Sequence, residues 1–254
     1  YIQKDKNIKY GYRFDRKYEN LLEKTLKIVD KVYAISDDII KELNFFKFPK
    51  NKIIKIPNSI ELKKFSIFKK QEKREHKVNF ITVARYYEKK KGLDLIENIS
   101  KKLIENKINF KWTLVGRDSS QLLNKKFILD NRSYFNIESE INNLNEIYFP
   151  HSKLIELYKS HDAYINLARI ESFGITIIEA IAAGLPVISF KTKGANELVI
   201  NSKNGILIDD YDPYKMAEII ISKTKEEYFY KKIKYDGIKN FDLTYNTKLI
   251  QDNY

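Results

Sequence analysis

From residue 78 onward, short apolar runs alternate with longer stretches in which apolar residues recur every three or four positions. This alternation of strands and amphipathic helices is typical of an α/β fold with a parallel sheet covered on both faces. The predicted strands are residues 79–84, 111–116, 146–149, 163–167, 187–190 and 206–208. The predicted helices lie near residues 93–106, 152–160, 176–183, 195–201 and 213–224. Ligands of such sheets bind beyond the carboxyl ends of the strands, so the loops there are the first candidates for a site.

The first part of the chain repeats this pattern on a smaller scale. Residues 19–48 are predicted to form a helix, a short strand and a second helix, for which Ser36 and Asp37 are candidate caps. A further strand at residues 53–56 ends at Pro57. Residues 63–77 are dense in charge and lack apolar periodicity, which indicates an interdomain linker.

The segment at residues 171–186, ESFGITIIEAIAAGLP, predicts a helix that begins near Thr176. Its apolar residues recur at helical spacing, Gly184 supplies a left-handed stop and Pro186 prevents continuation. The first backbone N–H groups of a helix are unpaired and carry a partial positive charge. The corner at residues 173–176 is therefore predicted to hold a phosphate.

Two carboxylates bracket this corner. Glu171 precedes it and Glu179 lies one turn inside the predicted helix. Because a carboxylate can accept two hydrogen bonds from a vicinal diol, we expect one of these acids to hold a sugar and the other a ribose. The alternative is that Glu171 is only an acid favoured by the helix dipole and Glu179 only a solvated helix residue.

A basic loop follows the first predicted strand of the larger sheet. It contains Arg85 and the run Lys89-Lys90-Lys91-Gly92. Arginine can bind two oxygens at once and lysine supplies a point charge, a combination that suits a diphosphate. A solvated loop is the alternative, but the loop shares a sheet edge with the Glu171 corner, which favours binding.

Other kinds of site find little support. The chain has no cysteine, and its three histidines, His76, His151 and His161, lack partners at metal-ligand spacing. His161 is expected to cap the helix before it. Asp212 precedes Pro213 and is interpreted as a helix cap, not as a metal ligand. Neither a glycine-rich dinucleotide fingerprint, nor a G-x-S-x-G elbow, nor a Walker lysine loop is present in the sequence.

Composition limits the partners. The 254 residues are 43% hydrophobic, enough for a packed core, and no apolar run approaches the roughly 18 residues of a membrane span. We expect a cytoplasmic protein, a location that the absence of cysteine fits. The net charge of +13 suggests a phosphate-bearing substrate, nucleic acid or peripheral contact with an anionic membrane. Nucleic acid is disfavoured because the lysines alternate with acids and form no stripe interleaved with aromatic residues.

Several motifs follow one another in the order of a known family. They are Ile56-Pro57-Asn58-Ser59, Arg85 with Lys91-Gly92, Leu114-Val115-Gly116, Glu171-Ser172-Phe173-Gly174 through Glu179, Gly184-Leu185-Pro186 and Gly194-Ala195-Asn196-Glu197. In them the chain resembles the C-terminal half of the group 1 (family 4) retaining glycosyltransferases of GT-B architecture. Ser59 stands where that family usually has glycine. The implied fold is α/β: a Rossmann-like parallel sheet flanked by helices, with a partial N-terminal Rossmann-like domain.

The resemblance also implies an activity. A retaining hexosyltransferase of this family moves a sugar from a nucleoside-diphosphate sugar to a glycan, lipid-linked or protein-linked acceptor, without a metal or other cofactor. The implied catalytic residues are Glu171 on the sugar, and Arg85 and Lys91 on the leaving diphosphate. Glu179 is implied to hold the ribose. The remaining implied donor-binding residues are Ser172, Phe173, Gly174, Ile175, Thr176, Gly116 and Lys90.

By the same resemblance, residues 1–70 are the tail of an acceptor-side domain with its linker. Residues 71–240 form the donor-binding domain, and residues 241–254 form a terminal helix that crosses back. Because such enzymes carry a whole acceptor-binding domain before the linker, we expect a fragment with little activity alone. The alternative function is a non-catalytic member that binds a nucleotide sugar or docks a partner.

Overall fold

The computed structural model describes residues 16–65, 77–85, 88–139, 150–226, 228–230, 233 and 235–253. Its strands are β1 (Val32–Ala34), β2 (Ile53–Lys55), β3 (Val78–Val83), β4 (Phe110–Val115), β5 (Phe135–Glu138), β6 (Ala163–Asn166), β7 (Val187–Phe190) and β8 (Gly205–Ile208). Its α-helices are α1 (Arg16–Leu26), α2 (Asp37–Phe45), α3 (Glu88–Lys91), α4 (Ile96–Glu105), α5 (Lys126–Asp130), α6 (Ser152–Ser160), α7 (Ile175–Ala182), α8 (Lys193–Leu198), α9 (Pro213–Lys225) and α10 (Leu243–Asn253).

The larger sheet has six strands in the order β5-β4-β3-β6-β7-β8, all pairs parallel. Its central strands are almost wholly buried because core clusters pack against both faces of the sheet. Neighbouring residues of β3 serve opposite faces: Phe80 packs in one core cluster with Trp112, and Ile81 packs in the other with Ile177. The predicted α/β fold with a parallel sheet is confirmed.

The order of the strands creates a crevice. From β3 the chain runs outward through β4 to β5, and then returns to place β6 on the other side of β3. The connections therefore leave β3 and β6 in opposite directions, and the carboxyl edge between these two strands is the usual ligand position in such sheets. The basic loop follows β3 and the Glu171 corner follows β6.

Some local predictions differ from the structure. β5 was not predicted, since its four residues carry only two apolar side chains and pair along one edge, with β4. Helix α8 begins at Lys193 instead of 195, because the Thr192 side chain accepts a hydrogen bond from Ala195 N at 3.1 Å and caps it there. The predicted strand at 146–149 and residues 66–76 of the predicted linker lie outside the described residues.

Strands β1 and β2 form a separate two-stranded parallel sheet near the start of the described chain. Ser36 caps α2 as predicted, accepting a hydrogen bond from Ile39 N at 3.3 Å. Helix α10 returns to this segment: Leu243 N donates to Ile60 O at 3.0 Å, and the buried Asn246 amide donates to Ser59 Oγ at 2.7 Å. The domain boundaries at 70 and 240 stay predictions.

Candidate functional site

The basic loop is packed directly against the end of β6. Gly92 has a φ of 70°, and a Cβ built on it would lie 1.9 Å from the Leu167 carbonyl oxygen. Only glycine fits that approach without moving the backbone. The Lys90 carbonyl oxygen accepts a hydrogen bond from Arg169 N at 3.0 Å, so the two loops are joined through their main chains.

Arg169 fixes the same contact through its side chain. Its guanidinium donates to both Asp94 carboxylate oxygens at 2.6 and 2.7 Å and to the Lys89 carbonyl oxygen at 2.8 Å. This bidentate geometry is the strongest form of an arginine–carboxylate pair. No local pattern in the sequence points to Arg169, because the partner that gives it a role lies 75 positions away.

Lys91 and Glu171, both predicted site residues, meet across the crevice. The Lys91 ammonium donates to Glu171 Oε2 at 2.7 Å, and the two side chains are only 25% and 17% exposed. The partial burial strengthens their attraction relative to a surface pair. A diphosphate bound here would share the Lys91 ammonium with Glu171, so its binding would be coupled to the position of the carboxylate.

Helix α7 starts beside this pair. Gly174 is its N-cap with a φ of 100°, and the helix begins at Ile175, one residue before the predicted start. The first amides, those of Ile175 and Thr176, have no helical carbonyl one turn earlier to pair with. Ile175 is exposed at the corner and Ser172 is half-buried. Cation, acid and helix start thus share one edge.

The back of this corner is held by α8. Gly194 N donates to the Glu171 carbonyl oxygen at 2.9 Å, and a Cβ on Gly194 would lie 2.5 Å from the Phe173 carbonyl oxygen. The Phe173 side chain is buried and its ring meets Phe241 at 6.0 Å between centroids. Phe173 therefore anchors the corner to the core through its side chain, which leaves only its backbone to contact a ligand.

Glu179 is deeply buried, with 5% of its surface exposed. Its Oε2 accepts a hydrogen bond from the Tyr158 hydroxyl at 2.9 Å. Burial raises the pKa of the Glu179 carboxyl to about 7, although the Tyr158 hydrogen bond opposes the rise. The interpretation of Glu179 as a solvated helix residue is therefore wrong, because the side chain is buried and contacts Tyr158 of α6.

Gly116 and Arg85 lie on the same edge of the sheet. Gly116 follows β4, and a Cβ there would lie 2.2 Å from the Ala84 carbonyl oxygen. Arg85 follows β3 and its side chain is exposed. Within the described residues, Arg85 forms no ion pair with Glu171, so the structure places it at this edge but does not join it to the Lys91–Glu171 pair.

An ion-pair network that sequence reasoning missed joins α8 to the N-terminal segment. Glu197 accepts hydrogen bonds from Asp38 N at 3.3 Å and from the Lys55 ammonium at 3.2 Å, and Lys55 also meets Asp37 at 2.6 Å. Burial alone would lower the pKa of Lys55, but its two acidic partners outweigh this and raise it. On the same helix, Lys193 pairs with Asp38 at 2.9 Å.

The predicted caps of α6 and α9 are confirmed, whereas the candidate cap Asp37 is the first residue of α2. The Asp212 side chain accepts from Tyr214 N at 2.8 Å with Pro213 as the first residue of α9, and His161 ends α6. No group of three or more His, Cys, Asp or Glu in the described part of the chain could hold a metal ion. The absence of a metal requirement stays a prediction. Among the same residues, no helix is both long enough and apolar enough to cross a membrane.

Comparison with known proteins decides the family. The family model described as "Glycosyl transferases group 1" matches residues 63–240, which is more than half of the chain. The chain belongs to this family. The matched range contains the basic loop, the Glu171 corner, Glu179 and the whole six-stranded sheet.

Relatives of this group 1 glycosyltransferase chain support the assignment. It is 35% identical over 85 residues to sucrose-phosphate synthase of Spinacia oleracea, a match that covers 34% of this chain and 8% of the relative. Sucrose-phosphate synthase of Thermosynechococcus elongatus has a similar structure, with a TM-score of 0.74 and 17% identity, and covers 94% of this chain and 61% of its own. HepE of Anabaena, solved with UDP and glucose, gives a TM-score of 0.70 at 18% identity over 96% of this chain and 67% of its own. The chain thus spans less than two thirds of sucrose-phosphate synthase, and the GT-B prediction is confirmed at the level of the fold.

We predict that Gly92→Ala lowers the free energy of unfolding by about 2–4 kcal/mol. The new methyl group would clash with the Leu167 carbonyl oxygen, and alanine is strained in the left-handed backbone conformation of this position. Urea unfolding followed by circular dichroism measures this. Lys89→Ala in the same loop is the matched control, since its side chain is exposed. Equal stability of Gly92→Ala and the wild type would contradict the packing of the loop against β6.

We predict a pH dependence from Glu179, whose pKa rises from an ordinary value of 4.5 to about 7 in the folded chain. Between these values the folded state holds a proton that the unfolded state has released, so stability falls as pH rises. Relative to Glu179→Gln, the free energy of unfolding of the wild type should fall by up to about 1.4 kcal/mol per pH unit between these values. Above them, the difference in stability between the two proteins should be constant. Urea unfolding of both proteins from pH 4.5 to 8.5 checks this; parallel curves would show that Glu179 titrates normally.

Proposed function

We propose that this chain is the donor-binding half of a retaining glycosyltransferase, which moves a hexose from a nucleoside-diphosphate sugar to a glycan, lipid-linked or protein-linked acceptor. The observation that carries the proposal is the meeting of Lys91, Glu171 and the start of α7 at the carboxyl edge of β3 and β6. Family membership and the UDP and glucose in the similar HepE structure support it.

The chemistry follows from where negative charge grows. When the bond between sugar and diphosphate breaks, charge accumulates on the leaving phosphate oxygens. The Lys91 ammonium and the first amides of α7 are fixed before the reaction and stabilise that charge with little reorganisation. Arg85, exposed on the same edge, adds a second cation that can bind two oxygens at once. Lys90 lies next to Lys91 and serves the same diphosphate.

The two acids take the two carbohydrate parts of the donor. Glu171 stands at the mouth of the crevice beside Lys91, where it can accept hydrogen bonds from sugar hydroxyls. Glu179 lies deeper and one turn further along α7, a position suited to a ribose diol. In this scheme the protein supplies both the cations and the acids without a metal ion or other cofactor.

The acceptor and the surroundings of the enzyme complete the proposal. A glycan or lipid-linked acceptor would enter from the side of the N-terminal segment, which the Glu197 network joins to α8. We propose a cytoplasmic location with peripheral contact to an anionic membrane, for which the net charge of +13 is the support.

We predict that at least one of UDP, GDP, ADP and TDP stabilises the chain, by about 2.7 kcal/mol or about 5–10 °C at a hundredfold excess over Kd. Lys91→Met should lower the affinity for that nucleotide about 10–100-fold, because a charge-assisted contact to phosphate is lost. Arg85→Ala should weaken it as well. Differential scanning fluorimetry and calorimetric titration measure both effects.

The control is Lys225→Met, which makes the same charge change at the exposed end of α9. If no nucleotide stabilises the wild type, or if Lys225→Met weakens binding as much as Lys91→Met, the proposed site is wrong. The protein encoded by the open reading frame that includes this chain, assayed with the sugar donor of the nucleotide that binds, distinguishes a glycosyltransferase from a non-catalytic member. Transfer or slow donor hydrolysis shows a glycosyltransferase, and binding with neither shows a non-catalytic member.

A further inference from the structure

Two buried tyrosines contact α7 from the core. Tyr158 lies on α6 and Tyr164 on β6, with ring centroids 6.0 Å apart and at most 1% of either residue exposed. The Tyr164 hydroxyl donates to Thr176 Oγ1 at 2.7 Å. The Tyr158 hydroxyl donates to Glu179 Oε2 at 2.9 Å. The tyrosines therefore hold two different side chains of the same helix, and only one of these is an acid.

The Tyr158 contact governs how Glu179 can be used. A carboxylate with 5% exposure cannot be oriented by bulk water, so the groups around it decide its rotamer. Tyr158 donates to Oε2, and Oε1, to which no described residue donates, is the oxygen left to accept from a ligand hydroxyl. The Tyr158 hydroxyl, which also lies 3.4 Å from the Thr176 carbonyl oxygen, thus holds one carboxylate oxygen and presents the other in a fixed direction.

We infer that Tyr158 is a positioning residue for donor binding, whose hydroxyl orients the Glu179 carboxylate toward the ribose diol of a nucleoside diphosphate. The inference rests on the proposed function, since it concerns the same site. Tyr158 lies beneath the helix and acts through Glu179, so it is not itself a catalytic residue.

The same hydrogen bond favours the charged form of Glu179 against the cost of burial. A hydroxyl that donates to a carboxylate stabilises the ion, and its removal shifts the balance toward the neutral acid, which accepts hydrogen bonds poorly. Besides the exposed Lys153 and Glu156 of α6, the other titratable groups on elements packed around α7 are Lys159, Tyr164, Glu171, Lys193, Glu197, Asp236 and Lys239. None of these groups hydrogen bonds to the Glu179 carboxylate, whereas Tyr158 does.

The test compares Tyr158→Phe with Tyr164→Phe, which removes an equally buried hydroxyl from the same cluster without touching Glu179. Calorimetric titration with UDP and GDP runs from pH 6 to 9, with inorganic pyrophosphate as a probe that lacks ribose. At pH 7 we expect Tyr158→Phe to bind the nucleotide with about tenfold lower affinity than Tyr164→Phe. This difference in nucleotide affinity should become smaller as pH rises, because Glu179 then becomes charged in both variants. The affinity for pyrophosphate should be equal in the two variants.

Protonation of the ligand's own phosphates affects both variants equally, so it does not change the ratio of their dissociation constants. Equal nucleotide affinities across the pH range, or an equal loss of pyrophosphate binding, would overturn the inference while leaving the proposed function intact. If the wild type binds no nucleotide, the proposed function fails first. Should Tyr158→Phe not fold, Glu179→Gln decides: nucleotide binding by this variant should be weak, with no pH dependence beyond that of pyrophosphate, and wild-type behaviour would contradict the role of Glu179.

Discussion

The close approach of the loops after β3 and β6 is the constraint on which the rest of the site depends. Strand order alone would let these loops diverge, because β3 and β6 lie at the point where the connections turn in opposite directions. Gly92 lets the basic loop touch the backbone at Leu167, and Arg169 fastens it there through Asp94. Lys91 then meets Glu171, and a crevice lined by a cation, an acid and a helix start results.

Electrostatics in this crevice are arranged in layers. Near the mouth, opposite charges pair directly and remain partly exposed, so a charged ligand can exchange with them at modest cost. Deeper in, Glu179 forms no ion pair with any described residue, and burial raises its pKa to about 7 although the Tyr158 hydroxyl donates a hydrogen bond to it. The outer pair suits the charged diphosphate and the inner acid suits neutral hydroxyls. This difference in depth gives the two glutamates of one motif different chemistry.

Much of the fold could be predicted because local pattern determined it. The buried runs of β3, β4, β6 and β7 and the caps at Ser36 and Asp212 are short-range signals. β5 was missed because an edge strand of four residues has little pattern of its own. Glu171 and Lys91 were expected at one edge, but Arg169, Tyr158 and the Glu197 network depend on partners far away in the sequence. No spacing in the sequence reveals such partners.

A crystal structure of this chain with the nucleoside diphosphate that stabilises it would show whether the Lys91–Glu171 edge holds the diphosphate. We expect phosphate oxygens within hydrogen-bonding distance of Lys91 Nζ and of the first amides of α7, and ribose hydroxyls hydrogen-bonded to Glu179. A diphosphate bound elsewhere, for example in the pocket of about 290 Å³ lined by Lys55 and Tyr245, would contradict this expectation.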